Sequence, residues 1–260
     1  MTDVPAQPTG INLVGKTALV TGASRGIGKA IALAYAAAGA DVAVLARNRE
    51  LLDEVAAAIE ALGRRTVVLV ADVTDGAQIE AAVAAAIEAL GHLDIVVNNA
   101  GGNNFMSPIV GMRFAGWTKT QTLNLDSTMH VLQAVGPHLV ERRSGSVINV
   151  ASVAGLAATP LMSHYGAAKA AVLSLTRSAA VEWAYAGVRV NALVPGWVET
   201  DLTDFARANE AIEQGLIARV PMQRWATVDE MAGPAVFLAS DASSFMTGQT
   251  LIVDGGLSVT

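Results

Sequence analysis

Two residues in the second half of the chain have the types and spacing for proton transfer. Tyr165 and Lys169 stand four apart in Tyr165-Gly-Ala-Ala-Lys169, a run that reads as the opening of a helix. Four residues is about one helical turn, so the two side chains share a face and can reach one ligand. A phenol with its ordinary pKa near 10 is too weak an acid to serve as a base at neutral pH. An ammonium beside it favours the phenolate and is expected to lower that value by about 1–3, which makes Tyr165 the candidate acid/base.

A Gly-rich loop near the N-terminus points to a phosphate-bearing ligand. Thr21-Gly22-Ala-Ser24-Arg25-Gly26-Ile27-Gly28 follows an apolar β-branched run and precedes a helical run from Lys29 to Ala38. Glycines permit the tight turn and let main-chain N–H groups approach a pyrophosphate at the positive end of the helix. A second loop only looks the part. Gly10-Ile-Asn-Leu-Val-Gly15-Lys16-Thr17 has the letters G-x-x-x-x-G-K-T, but such a loop must follow a strand and open a helix. This one follows a Pro-containing tail and runs straight into a strand, so no ATP or GTP site is expected there.

The elements that must position these residues alternate regularly. Seven short runs (Thr17–Thr21, Asp41–Leu45, Thr66–Val70, Leu93–Val97, Ser146–Val150, Val188–Ala192 and Leu251–Val253) are nearly all apolar, as strands covered on both faces are. Between them lie helical stripes, such as Leu52, Val55, Ile59, Leu62 and Ile79, Val83, Ile87, Leu90. Thr227-Val-Asp-Glu230 reads as a capping box opening a helix that ends near Ser240. The expected fold is α/β: a Rossmann-like, doubly wound parallel sheet with helices on both faces. One domain over residues 1–260 is expected, with an N-terminal tail over 1–15 and an irregular, mobile lid over 200–223. In such a sheet Asp72-Val73, Asn98 to Gly101, Ser152 and Pro195-Gly196, all at strand ends, lie along one crevice where ligands bind.

Composition narrows the partners. With 17 basic against 23 acidic residues the net charge is −6, which disfavours nucleic acid and anionic membrane. Cysteine is absent, so there are no disulfides, thiolate nucleophiles or Cys-based metal sites. His92, His130, His138 and His164 lack ligand spacing, and His164, which adjoins Tyr165 but points elsewhere on the helix, is read as structural; no metal site is expected. The longest apolar runs are far short of the ~18 residues of a membrane helix, and the acidic start lacks a signal-peptide pattern, so a cytoplasmic protein is expected. Charged residues are only 15%, which together with many alanines suggests self-association.

From about Lys16 to the C-terminus the chain resembles the short-chain dehydrogenase/reductase family. The resemblance rests on the Thr21–Gly28 loop, Asn98-Asn99-Ala100-Gly101, Asn124, Ser152, Tyr165-x-x-x-Lys169, Pro195-Gly196 and Val253-Asp-Gly-Gly256. It implies a nicotinamide cofactor, usually a homotetramer, and interconversion of a ketone and a secondary alcohol. Tyr165 is then the acid/base, and Lys169 lowers its pKa and binds the nicotinamide ribose. Ser152 holds the substrate oxygen, and Asn124 holds a relay water. Gly22, Ser24, Arg25, Gly26, Ile27, Gly28, Asp72, Val73, Asn99, Ala100, Gly101, Pro195, Gly196, Val198 and Thr200 would line the cofactor. Relatives preferring NAD usually carry an acid at the position of Ala46; its absence, with Arg47 and Arg25 near, favours NADP(H) over NAD(H). Asn103, Val153, Met162, Trp197 and Phe205 are expected to form a mostly apolar substrate pocket. The substrate is expected to be a small-molecule carbonyl or alcohol, possibly an acyl thioester as in 3-oxoacyl reductases; alternatives are an alcohol, sugar or steroid dehydrogenase, or a cofactor-binding redox sensor.

Overall fold

A computed structural model describes residues 11–260; the first ten residues of the expected tail, and the side chain of Phe205, lie outside the described structure. Seven parallel strands form one sheet in the order β3-β2-β1-β4-β5-β6-β7. They are β1 (Thr17–Thr21), β2 (Asp41–Ala46), β3 (Thr66–Val70), β4 (Ile95–Asn98), β5 (Gly145–Val150), β6 (Val188–Pro195) and β7 (Thr250–Val253). Every strand expected from the sequence is present, with ends shifted by three residues at most. The order reverses between β1 and β4, and the crevice beyond their carboxyl ends is where a doubly wound sheet takes ligands.

Alternate strand residues face opposite layers, which is why the runs are apolar throughout. Ala18, Val20, Val42 and Val44 pack with Ile31 and Tyr35 of α1 (Gly26–Ala37), Leu52 and Ile59 of α2 (Arg49–Ala61), and Met231 and Leu238 of α9 (Asp229–Ala239). Leu19, Ala43, Leu45 and Val96 face α3 (Gly76–Leu90), α5 (Ser127–Arg142) and α6 (Ser163–Trp183) through Ile79, Val83, Val131, Val135 and Ala179. Alanines at these contacts let the helices lie close to the sheet.

Some local readings change. At the start of α9 the Glu230 carboxylate accepts from the Thr227 N–H (2.9 Å), but the position before the helix is Val228 and no side chain caps it. Only half of the capping box forms: the Glu230 N–H donates to the Thr227 carbonyl (3.3 Å) and not to its hydroxyl, while the Glu230 carboxylate is also clamped by Arg224 (2.6 and 2.7 Å). The stretch 200–223 is not irregular: it contains α7 (Asp204–Arg207) and α8 (Glu210–Ile217). Asn209 caps α8 by accepting from the Ile212 N–H, and Glu210 and Glu213 occupy its first turn, a start signal that the sequence does carry. The Gly15-Lys16-Thr17 run enters β1 directly, and the Thr17 N–H is taken by Asp94 (2.9 Å).

Candidate active site

Tyr165 and Lys169 lie on the inner face of the first turns of α6, against the end of β5. The Lys169 ammonium is buried, donates to the Val150 carbonyl (2.9 Å) and lies 5.7 Å from the centre of the Tyr165 ring. Ser152 follows β5, where its hydroxyl accepts from the Ala154 N–H (3.2 Å) and contacts the Tyr165 phenol. Asn124 is fully buried in a single π turn, Thr122–Asp126, between α4 (Phe114–Gln121) and α5. Its side chain is zipped to Gly102: Oδ1 accepts from the Gly102 N–H and Nδ2 donates to the Gly102 carbonyl, each at 2.9 Å. Gly101 sits where a Cβ would come within 2.7 Å of Asn124 Oδ1 and 3.3 Å of Lys169 Nζ, so only glycine fits between them. Four residues spread over the chain from 124 to 169 thus meet at one point beyond β4 and β5.

The electrostatics correct one expectation. Burial pushes the Tyr165 phenol up to about 12, opposed only by the Ser152 hydroxyl, and pulls the Lys169 ammonium down to about 8. The net effect on Tyr165 is therefore a rise and not the lowering expected from Lys169. Both groups share one water-poor site, and the loss of solvent outweighs a cation that lies beyond the ring and gives a hydrogen bond to a carbonyl instead.

On the other side of the crevice the Gly-rich loop is bonded to the end of β4. Asn99 Nδ2 donates to the carbonyls of Thr21 (3.0 Å) and Gly22 (3.3 Å), while the Thr21 hydroxyl accepts from the N–H groups of Asn99 and Ala100. Gly22 and Gly26 have φ of +65° and +55°, in the region that favours glycine, and a Cβ on Gly28 would run into the Gly22 carbonyl. No side chain caps the N-terminus of α1, so its first N–H groups face the crevice for a ligand to take. The third wall is the segment after β6. The Gly196 N–H donates to the Val253 carbonyl (3.0 Å), and a Cβ on Gly196 would come within 2.7 Å of the Asp254 backbone. Val198 is buried beside Ala226, and Thr200 faces Gly26 across the crevice.

Comparison with known proteins agrees with this geometry. Residues 22–258 match the family model described as enoyl-(acyl carrier protein) reductase. Gluconate 5-dehydrogenase from Gluconobacter oxydans is 39% identical over 254 residues, covering 98% of this chain and 99% of that one. A 3-oxoacyl-[acyl-carrier-protein] reductase from Thermotoga maritima is 37% identical over 247 residues, covering 95% and 99%. The crystal structure of a gluconate 5-dehydrogenase from Burkholderia cenocepacia, in complex with NADP and tartrate, superimposes with a TM-score of 0.92 at 39% identity, covering 96% of this chain and 98% of that one. The chain belongs to the short-chain dehydrogenase/reductase family. It is an oxidoreductase of the alcohol–carbonyl class.

A short-chain dehydrogenase/reductase needs room for a dinucleotide, and the glycine loop, the uncapped first turn of α1 and the glycine beside Lys169 supply it. Both guanidiniums expected near a 2′-phosphate are engaged by carboxylates: Arg25 with Asp201 (2.8 Å) and Arg47 with Asp72 (3.7 Å). The Asp72 carboxylate also accepts from the Thr74 N–H and hydroxyl, which with Arg47 hold it below the usual carboxylate range. Val73 is buried, and its carbonyl faces His130 Nδ1 (3.2 Å).

The pocket residues fall into unlike groups. Trp197 packs edge-on against Trp225 (5.7 Å), whose indole N–H donates to Glu213 of α8, so this wall is tied to the 200–223 segment. Met162 precedes α6, and its carbonyl accepts from the Gly166 N–H (2.9 Å). Val153 packs beside Val172 and Ala192. Asn103, the polar member of the expected set, is hydrogen-bonded to the His164 ring (2.9 Å). Among the described residues no cluster of His, Asp or Glu could hold a metal.

Proposed function

We propose that the chain is an NADP(H)-dependent oxidoreductase that interconverts a small ketone and its secondary alcohol. The observation that carries the reading is the convergence of Ser152, Tyr165 and Lys169 beside Gly101. When bound, the nicotinamide supplies or accepts a hydride. The residues do the rest. Ser152 and Tyr165 present two hydroxyls to the carbonyl oxygen, and the phenol, held protonated by burial, donates its proton as negative charge grows there. Lys169 keeps a positive charge beside the resulting phenolate and is the group that would bind the nicotinamide ribose. The Asn124 side chain is consumed by Gly102 and Thr120, so its main-chain carbonyl in the π turn, which takes only a long bond from the Thr128 hydroxyl (3.5 Å), is what would hold a relay water.

NADP(H) is favoured by the exposed Arg25 and Arg47 beside Ala46, none of which repels a 2′-phosphate. The NADP-bound gluconate 5-dehydrogenase supports the same choice. The segment 200–223 serves as the substrate lid, and the assembly is a homotetramer. Two substrate readings stand. A 3-oxoacyl thioester is supported by the similarity to the acyl-carrier-protein reductase, and a hydroxylated acid by the similarity to gluconate 5-dehydrogenase. The net charge of −6 works against docking of an acidic carrier protein.

The test is nicotinamide absorbance during turnover, with NADPH and NADH run against acetoacetyl thioesters, keto acids bearing hydroxyls, and simple ketones. NADPH consumption with either of the first two selects that substrate reading. Tyr165→Phe is expected to lower turnover by about 10²–10⁴ while cofactor binding stays intact; a variant with most of its turnover overturns the role of Tyr165.

A further inference from the structure

The loop after β4 is held more firmly than a connection requires. Gly102 is fixed at both its N–H and its carbonyl by Asn124. The Phe105 ring stacks on the His164 ring with centroids 4.1 Å apart and planes 18° from parallel. Its other side fills the space left by Gly116 of α4, where a Cβ would come within 2.9 Å. Between these anchors Asn103 Oδ1 lies 2.9 Å from His164 Nε2. His164 is fully buried, immediately precedes Tyr165 and is fastened through its own carbonyl to Gln121 Nε2 (2.8 Å). Burial holds its pKa below the ordinary histidine value, so the ring is neutral at pH 7. With Asn103 Oδ1 facing it, Nε2 carries the proton of the neutral ring and donates there, and the Phe105 main chain beside the ring partly offsets the effect of burial.

One asparagine end is therefore locked, which fixes the other. Asn103 is only half-buried, and among the described residues its Nδ2 meets no acceptor. It stands on the loop that runs from Gly101, beside Lys169, to the residue stacked on the neighbour of Tyr165. The carbonyl oxygen of a substrate already has its two donors in Ser152 and Tyr165. We propose that Asn103, oriented by His164, reads a second substrate oxygen, a hydroxyl on the carbon next to the reacting carbonyl, and so selects hydroxylated ketones and their diols. This rests on the ketone–alcohol reading above and chooses a substrate class within it. Asn103 is the contacting residue, and His164 is a positioning residue.

The experiment uses two ketones that differ by one group, cyclohexanone and 2-hydroxycyclohexanone. Each is titrated calorimetrically into the enzyme holding NADP⁺, with the absorbance of reduced nicotinamide followed to confirm that the CH–OH of the hydroxyketone is not oxidised, and each is then assayed with NADPH. The hydroxyketone is expected to bind about 3- to 10-fold more tightly, the contribution of one added hydrogen bond. Asn103→Leu is expected to erase that preference, raising Kd and KM for the hydroxyketone about 3- to 10-fold relative to those for cyclohexanone. His164→Phe, which keeps the stack but cannot donate, is expected to reduce the preference, and His164→Gln to restore part of it. The cyclohexanone arm reports that the fold and the proton-transfer cluster are intact. A preference unchanged in Asn103→Leu, or an equal loss for both ketones, overturns the contact. A wild-type enzyme that binds both ketones alike overturns it too, while leaving carbonyl reduction standing. A binding preference without NADPH consumption on either ketone supports the contact and overturns the reading of function.

Discussion

Lys169 carries a cost that its surroundings do not offset. It is 4% exposed, and among the described residues no carboxylate pairs with it and one main-chain carbonyl is its hydrogen-bond partner. Burial brings it from an ordinary 10.5 to about 8. Between those two values the unfolded chain holds a proton that the folded chain has released, so this residue makes stability rise with pH across that window. Below about pH 8 the penalty is present in full and amounts to about 3 kcal/mol. Lys169→Met is therefore expected to raise the melting temperature of the cofactor-free protein at pH 7 and to flatten the difference from wild type above pH 10. Turnover is expected to be lost. Thermal unfolding of both proteins from pH 7 to pH 10.5 checks this; a variant less stable than wild type at pH 7 overturns it. The stability sacrificed at this position is a measure of the local demand for a cation beside Tyr165.

At the scale of elements, cofactor choice is set where β2 and the Gly-rich loop end side by side. The Ala23 N–H donates to the Leu45 carbonyl (3.2 Å), which brings Arg25 close to the Ala46-Arg47 end of β2. Arg25 is bound across the crevice by Asp201 at the start of the 200–223 segment, and a 2′-phosphate must compete with that carboxylate. An exposed pair contributes roughly 0.2–1 kcal/mol, so Asp201→Asn is expected to tighten NADPH about 1.4- to 5-fold and leave NADH unchanged. Ala46→Asp with Arg47→Ala is expected to shift preference toward NADH. Fluorescence titration with both cofactors checks these variants, and an unchanged ratio in the double variant removes Arg47 and Ala46 from the assignment. The cofactor side was legible in the sequence because a βα turn needs its glycines locally and in order. The partners of Arg25 and Arg47 were not, since Asp201 lies 176 positions away and only the closed crevice brings it near. His164, read from the sequence as structural, is buried, and its partners were hidden for a related reason. Helical spacing shows that it leaves the face of Tyr165, but not that Asn103 and Phe105 from another loop meet it there. The two helices within 200–223 were missed because α7 and α8 are too short to show a period, and only the Asn209 cap announces one of them.

At the scale of the molecule the surface does not look finished. Along α6 the outward residues include Ala167, Ala170, Ser174 and Val181, a face of small side chains with Val181 80% exposed. Beyond its end, Tyr185 and Phe245 are exposed, and β7 is a sheet edge carrying the exposed Ile252. Gly248 lies against Ala180, so the end of α6 and the start of β7 form one corner. Patches of this kind on a chain with 15% charged residues are expected to be covered by other copies. A closed tetramer of dihedral symmetry needs two different self-complementary patches, and the α6 face and the Phe245 corner are two candidates. Sedimentation at micromolar concentration is then expected to show four times the 26.7 kDa of one chain. Ser174→Arg, placed where two α6 helices would meet, and Phe245→Asp at the corner should each break one contact only. Each single variant is expected to sediment as a dimer and the double variant as a monomer. A tetramer that survives both substitutions would remove these faces from the interface, and a wild-type monomer would leave the low charge and the bare apolar corner without an assembly to explain them.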